Sequence, residues 1–481
     1  MTSLTARFEE ICGAEHVVTD NAALRTYESD GLPHVRVPPA LAVLPGSASE
    51  VSAILRACHE TDTPWVARGS GTGLSGGALP IEDGVLIVLT RMREILEVDR
   101  ENHRIVVEPG ATNVEIGEAI APDHFYPPDP SSQIVCSIGG NVAENSGGPH
   151  CFKYGFTTNY VVGLEVVLSD GEILTLGGKE VDRAGYDLVG AFVGSEGTLG
   201  IATKIWLRML PAPESTVTAV AYFDSVAEAG SVVSEIVASG IVPAAIELMD
   251  SLTMEATSEI ADQPPPPGAG ASMIVELDGS REECDSRREA VKEILSRAGA
   301  TGTRFATDVE TRMAIWKARK AAFAAMGRIS PTYYVQDGVI PRTRLGDVLE
   351  RIGELSTEYG LRVANVFHAG DGNLHPLVCY DDRKPGEGDR AAELAGRILE
   401  VCVENGGSIT GEHGVGSDKK AYMPLMFTEA DLDLFQRLRC SMDPHGLANP
   451  GKVMPTPRLC GEVPGPRREH PLERAGVIER L

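Results

Sequence analysis

The 481-residue chain has no run of 18 apolar residues, and its mean hydropathy is −0.06, so no membrane-spanning helix is expected. Its start, MTSLTARFEEICG, lacks the basic and apolar regions of a secretory signal. Secretion is therefore not expected, and the cytoplasm is the expected compartment. Positive charge is scarce: 43 Lys and Arg stand against 69 Asp and Glu, for a net charge of −26. That balance excludes the basic stripe of a nucleic-acid-binding surface. An anionic ligand must then be captured by local positive groups. The nine cysteines, at 12, 58, 136, 151, 284, 379, 402, 440 and 460, form no C-x-x-C pair. They are expected to be free thiols, mostly buried, and they offer no ligand set for an iron–sulfur cluster. No internal repeat of solenoid period is present.

What is present divides the chain. Length alone suggests two or three domains. Residues 1–60 are predicted as helix, extended Pro-rich segment and helix, the second helix over Ser49–His59 with Val51, Ile54, Leu55 and Cys58 on one face. Strands are predicted at Pro64–Arg68, Val85–Thr90, Arg104–Val107, Val161–Leu168, Glu172–Leu176 and Leu199–Leu207, with a helix at Asn113–Ile120. Pro211-Ala-Pro213 marks a boundary. Beyond it strands and helices alternate: strands Thr216–Phe223, Ala244–Leu248 and Met273–Leu277, helices Val226–Ser239 and Arg281–Ala298. Tyr333–Ile340, Arg362–Phe367 and Leu377–Tyr380 continue the strands, and Leu432–Met442 is a late helix. The expected fold class is α+β. Residues 1–213 form one domain, 214–425 an α+β cap of split βαβ units, 426–456 a segment returning to the first domain, and 457–481 a poorly ordered tail.

Two glycine-rich stretches are not explained by packing. PPDPSSQIVCSIGGNVAENSGG, residues 127–148, holds three prolines in four residues and two Gly pairs, with little apolar periodicity. Gly pairs let backbone N–H groups approach a ligand and form anion-binding nests, so this stretch is expected to wrap a large polar cofactor. Gly69–Gly77 contains Gly71-x-Gly73-x-x-Gly76, the dinucleotide fingerprint. That fingerprint needs a helix directly after it. Ala78-Leu-Pro80-Ile-Glu-Asp-Gly84 cannot start a long helix, so a nicotinamide-binding Rossmann unit is not expected. The loop can still bind phosphate through its backbone, with Arg68 adding charge.

Arg68-Gly-Ser-Gly-Thr-Gly73, Pro128-Asp129-Pro130, Gly139-Gly140-Asn141, Asn145-Ser-Gly147-Gly148 and Gly194-Ser-Glu196-Gly197-Thr-Leu-Gly200 together resemble the vanillyl-alcohol-oxidase-type FAD fold. Within it, the chain resembles the branch of the glycolate oxidase flavin subunit and the D-lactate dehydrogenases, over roughly residues 35–455. The resemblance implies that Arg68, Gly69, Ser70, Gly71, Thr72 and Gly73, with Pro128, Asp129, Gly139, Gly140, Asn141, Asn145, Gly147 and Gly148, hold the FAD diphosphate and isoalloxazine. It implies that Gly194, Glu196, Gly197 and Ile201 close on the adenosine side, and that Asn449 lies in the segment returning to the ring. Some relatives attach FAD through a His in the first loop. None lies between Arg68 and Pro80, so non-covalent FAD is expected.

A second constellation lies in the cap. Val366-Phe-His368-Ala-Gly-Asp-Gly-Asn-Leu-His375 follows a strand, and Gly411-Glu412-His413-Gly-Val-Gly416 follows a helix and a short strand. Two His and a Glu-His pair in glycine-flanked turns suit a divalent metal such as zinc, with buried structural histidines as the alternative. The resemblance implies His368, His375 and Glu412 as ligands and His413 as the base. It also assigns Arg319, otherwise a plain helical charge, to the substrate carboxylate, which a planar guanidinium binds bidentately. Enzymes of the superfamily that act on D-2-hydroxyglutarate add a Thr and a Lys, where this chain has Phe323 and Tyr334-Val335.

The expected activity is FAD-dependent oxidation of a small 2-hydroxy acid, glycolate or D-lactate, to the 2-oxo acid, with metal assistance. The alternatives are a D-2-hydroxyglutarate-type dehydrogenase, a non-catalytic FAD subunit of a multi-subunit oxidase, and an oxygen-using flavin oxidase. An electron acceptor or an iron–sulfur partner subunit is expected. The acceptor's identity and the oligomeric state, a homodimer among the options, are not legible in the sequence.

Overall fold

The computed structural model describes residues 2–32, 34–180 and 184–455. The tail expected at 457–481 lies outside them. Four stretches with few polar residues build the first sheet, in the order Val17–Val18, Leu41–Val43, Val85–Val88, Trp65–Arg68, the last three parallel. Val85–Val88 is buried along its whole length, as a strand covered on both faces must be. The helix Ala48–Glu60 makes the crossover, and Val51, Ile54, Leu55 and Cys58 form its buried face. Its cap is Ser47, whose hydroxyl accepts the Glu50 N–H at 3.2 Å, so the helix starts ahead of the expected Ser49.

The second sheet is antiparallel, in the order Ile95–Asp99, Arg104–Val107, Ile201–Arg208, Val161–Val167, Ile173–Gly177. The helix Asn113–Ile120 packs beside it behind a Thr112/Glu115 capping box. The stretch expected as one continuous loop, 127–148, contains a helix, Ile138–Glu144. Ser137 caps it, and Ile138 and Val142, one turn apart, are both fully buried. Their burial outweighs the helix cost of Gly139 and Gly140, which had masked the period.

The cap is one antiparallel sheet in the order Thr301–Ala306, Ser215–Phe223, Ala271–Gly279, Ala245–Asp250, Val363–His368, Asn373–Leu374, Gly338–Val339. Ala271–Gly279 lies between Ser215–Phe223 and Ala245–Asp250, the split βαβ arrangement. Helices Val226–Ala238, Arg281–Arg297, Leu345–Tyr359 and Glu387–Glu404 share its largest apolar core. Ser251–Thr257 and Val309–Ala325 pack in separate clusters.

Two expectations fail here. Tyr333–Ile340 is not one strand. Thr332–Val335 pairs with Pro376–Tyr380, Gly338–Val339 pairs with Asn373–Leu374, and buried Gln336 and Asp337 fall between. No strand precedes Gly411. Ser408 makes only an isolated bridge to Val339. Beyond that bridge, the Asp337 carboxylate accepts the backbone N–H groups of Gly411 and His413.

Contacts join the parts. His150 bridges Asp129 at 2.8 Å and the cap's Glu276 at 3.2 Å. Lys153 and Tyr154 both reach Asp278. After the helix Glu429–Met442 the chain returns to the first sheet. The Asn449 N–H donates to Trp65 O at 2.8 Å, and its side chain to Gly77 O and Glu196 O. Seven cysteines are free and buried. Cys440 is disulfide-bonded, against the expectation of free thiols; among the described cysteines it is the one that is not buried. No helix of the described residues is long and apolar enough to cross a membrane.

Candidate functional site

The strand Trp65–Arg68 delivers the chain into the glycine loop, and no helix follows it. Among the described residues, none of the backbone N–H groups from Ser70 to Ser75 has an acceptor within the protein. Successive unpaired N–H groups form a seat for an anion. Gly71 sits at φ +71°, and a side chain there would strike the Arg68 guanidinium. The loop therefore fits the diphosphate of FAD.

Above it lies a cavity of about 530 Å³. Gly69, Ser70, Gly71, Thr72, Gly73, Gly140 and Asn141 line it, together with His375, Glu412 and His413. A smaller cavity of about 70 Å³ adjoins Gly69 and Gly140 and is lined by Arg68, Gly139, Glu196, Gly197 and Ile201. The remaining expected cofactor residues line neither and brace the loops instead. Pro128 O accepts from Asn113, Asp129 pairs with His150, and the Asn145 side chain accepts the Thr158 N–H. Gly147 and Gly148 pass too close to Phe156 and Asp129 to carry side chains. The Gly194 N–H bonds Val142 O, and Asn449 ties Gly77 to Glu196.

The strand Val363–His368 ends on His368, and the turn after it brings back His375. The Nε2 atoms of both lie 3.2 Å from the same oxygen, Glu412 Oε1. His375 Nε2 is also 3.4 Å from Asp337 Oδ1, yet meets neither oxygen at a hydrogen-bonding angle. Glu412 Oε2 is buried without a partner. The His413 ring stacks on His375 at 4.9 Å and 4°. Ligand atoms of Asp337, His375, Glu412 and His413 lie within 4.8 Å of one another. His368 Nε2 bonds Glu412 Oε1, but His375 Nε2 and Glu412 Oε2 are buried without a partner beside it, so the residues present fit a divalent metal.

The charges agree. Burial works to raise the Glu412 carboxyl, but His368 and His375 overcome it and hold it well below the usual carboxylate range. Burial works to lower His368, but Glu247 and Glu412 keep it well above its ordinary value. Burial pushes His413 down to about 4, so it is neutral near pH 7. Burial also raises Asp371, in the turn between the two histidines, to about 6.

Arg319 is brought near the site but not onto its wall. It is 2% exposed, and its Nη2 meets Glu247 Oε2 at 2.6 Å and His368 Nδ1 at 3.4 Å. Its Nε–H is buried without a partner. The next residue, Lys320, does line the cavity, with Phe323 and Val335.

Two acids were missed in the sequence reading. Asp337 Oδ2 accepts the N–H of Gly411 at 3.0 Å and of His413 at 2.9 Å, and the Lys419 ammonium at 3.2 Å. Glu247 holds Arg319 and His368 together. The available signal was a lone carboxylate inside each apolar strand pattern, Ala-Ile-Glu-Leu-Met and Tyr-Val-Gln-Asp-Gly-Val.

Known proteins match most of the chain. The family model for the C-terminal domain of FAD linked oxidases matches residues 212–453, and that for an FAD binding domain matches 39–177. The glycolate oxidase subunit GlcD of Escherichia coli K12 is 49% identical, over 95% of this chain and 92% of its own length. A D-lactate dehydrogenase of Anaerostipes hadrus is 31% identical, over 93% and 96%. The solved structure of p-cresol methylhydroxylase superposes with a TM-score of 0.79 over 94% of this chain and 96% of its own, at 18% identity, which speaks for the fold alone. The glycine loop, the returning C-terminal segment and these matches place the chain among the FAD-linked oxidases.

Proposed function

We propose that the protein is an FAD-dependent dehydrogenase that oxidises a small 2-hydroxy acid to the 2-oxo acid. The observation that carries this is a single cavity lined by both the glycine loop and His375, Glu412 and His413. Residues 1–213 hold the cofactor, 214–425 form the substrate cap, and 426–456 return to the cofactor domain. FAD, held without a covalent bond, supplies the hydride acceptor when bound. A divalent ion, which we assign as zinc, would lower the pKa of the substrate's α-hydroxyl when held by His368, His375 and Glu412. His413, neutral at pH 7, takes the hydroxyl proton. The unpartnered Nε–H of Arg319 is assigned to the substrate carboxylate. A buried donor without an acceptor costs about 1–3 kcal/mol, which a bound carboxylate would offset. Electrons leave to an acceptor or an iron–sulfur partner subunit. We place the chain in the cytoplasm; seven free thiols support this and the disulfide at Cys440 weighs against it.

Glycolate or D-lactate is the favoured substrate, since Phe323 and Val335 line the cavity where a second cation would stand. Lys320 on the same wall supports the second reading, a dicarboxylate such as D-2-hydroxyglutarate. Anaerobic mixing with glycolate, D- and L-lactate and D-2-hydroxyglutarate decides between them. Fastest flavin bleaching by a monocarboxylate supports the first reading, and bleaching by none of them refutes both.

A further inference from the structure

Ala245–Asp250 is a strand with all six residues buried, and Glu247 stands in the middle of it at 1% exposure. A carboxylate there must be matched by partners that justify its desolvation. It has two. Glu247 Oε1 lies 2.8 Å from His368 Nδ1, and Oε2 lies 3.0 Å from that nitrogen and 2.6 Å from Arg319 Nη2. The pairing register explains the first contact: Glu247 and His368 are directly opposed on antiparallel strands, which puts their side chains on one face. The helix Val309–Ala325 supplies the second, with Arg319 on its buried side.

We propose that Glu247 is a positioning residue that couples the metal site to the substrate's carboxylate anchor. By accepting from Nδ1 it fixes the His368 ring and leaves Nε2 turned toward Glu412, 3.2 Å away. A ligating imidazole anchored this way is held in the tautomer and orientation that binding requires. With its other oxygen the same carboxylate fixes one end of Arg319 and leaves Nε as the unpartnered donor. One side chain therefore sets both the ligand geometry and the direction of the guanidinium. This rests on the metal reading of the preceding section.

The alternative is that Glu247 only neutralises Arg319. A double-mutant series in the purified flavoprotein separates the two, with zinc affinity read by competition against a chromophoric chelator. Glu247→Gln is expected to weaken zinc binding by about 10–100-fold, with FAD content unchanged. Because that variant leaves Arg319 buried and unpaired, the decisive comparison is Arg319→Met against Arg319→Met/Glu247→Gln, which holds no lone buried charge. The double variant is expected to bind zinc about 10–100-fold more weakly than Arg319→Met. Equal affinities in those two variants would overturn the role of Glu247 and leave the metal site standing. A wild-type protein that binds no zinc would overturn both.

Discussion

Asp337 Oδ2 accepts the His413 backbone N–H at 2.9 Å, so the residue assigned as base is held by a carboxylate from the turn between Thr332–Val335 and Gly338–Val339. The same carboxylate takes the N–H groups of Gly411 and Glu412 and faces buried Lys419. Asp337→Asn keeps the size and removes the charge. Breaking a buried charge pair of this kind costs about 3–5 kcal/mol. We expect a loss of that order in chemical denaturation, together with a slower flavin reduction that added metal does not restore. Unchanged stability and rate would remove Asp337 from the account.

The glycine loop predicts the mode of cofactor attachment. The seat consists of backbone N–H groups, and no His lies in Gly69–Gly77. Acid precipitation should therefore leave all the flavin in the supernatant, whereas yellow colour in the pellet would show a covalent link. Gly71→Ala, at a positive φ and against Arg68, should lower the FAD content of the purified protein.

Arg319 behind the cavity and Lys320 on its wall are expected to divide their work. Arg319→Lys removes the planar fork and should lower kcat/KM about tenfold or more for every 2-hydroxy acid, at least about 1.4 kcal/mol. Lys320→Met should affect a dicarboxylate more than glycolate, because Lys320 is the cation on the cavity wall that the first carboxylate's anchor leaves over. Steady-state kinetics on the paired substrates is the check. An equal loss on both substrates in Lys320→Met would assign that lysine to the shared carboxylate.

The junction between cofactor domain and cap predicts a pH dependence. Burial works to lower the His150 imidazole, but Asp129 and Glu276 hold it well above its ordinary value. A group with a raised folded pKa stabilises fully below its unfolded pKa, about 6.5, and the contribution fades as pH rises through the folded value. Glu276 has the opposite sign. Burial works to raise it, but His150 and Arg312 pull it from 4.5 to about 2, so its contribution is present above 4.5 and is lost as pH falls toward 2. The thermal midpoint of the wild type should therefore drop on the alkaline side by more than that of His150→Gln. Parallel alkaline limbs in the two proteins would show that the bridge carries no stability.

How much of this the sequence showed depends on how far apart the partners lie. The absence of a helix after Gly77 was legible because Pro80 and Gly84 stand in its path. His368, His375 and Glu412 were singled out by their glycine-flanked segments, but their role as one set came from the family resemblance, since Glu412 lies far along the chain from both histidines. The helix Ile138–Glu144 was hidden, since its apolar residues are few and two glycines interrupt them. Asp337 and Glu247 were hidden for another reason. Glu247 is one acid in an apolar strand and Asp337 one acid between two strands, and their meaning depends on partners that only the sheet register and a distant turn supply. The same gap explains Arg319. Its residue type suggested an anchor, but nothing local showed that Glu247 already held one of its nitrogens.

In the proposed reaction one cavity joins a flavin to a metal-assisted base acting on a 2-hydroxy acid. Its most direct test is the anaerobic flavin-reduction rate with glycolate or D-lactate, measured by stopped flow on the protein as purified, after metal removal, and after zinc is restored. We predict rapid bleaching, its loss on stripping with FAD still bound, and its recovery with zinc. Equal rates in all three preparations, or no bleaching by either acid in the metal-loaded protein, would contradict the account.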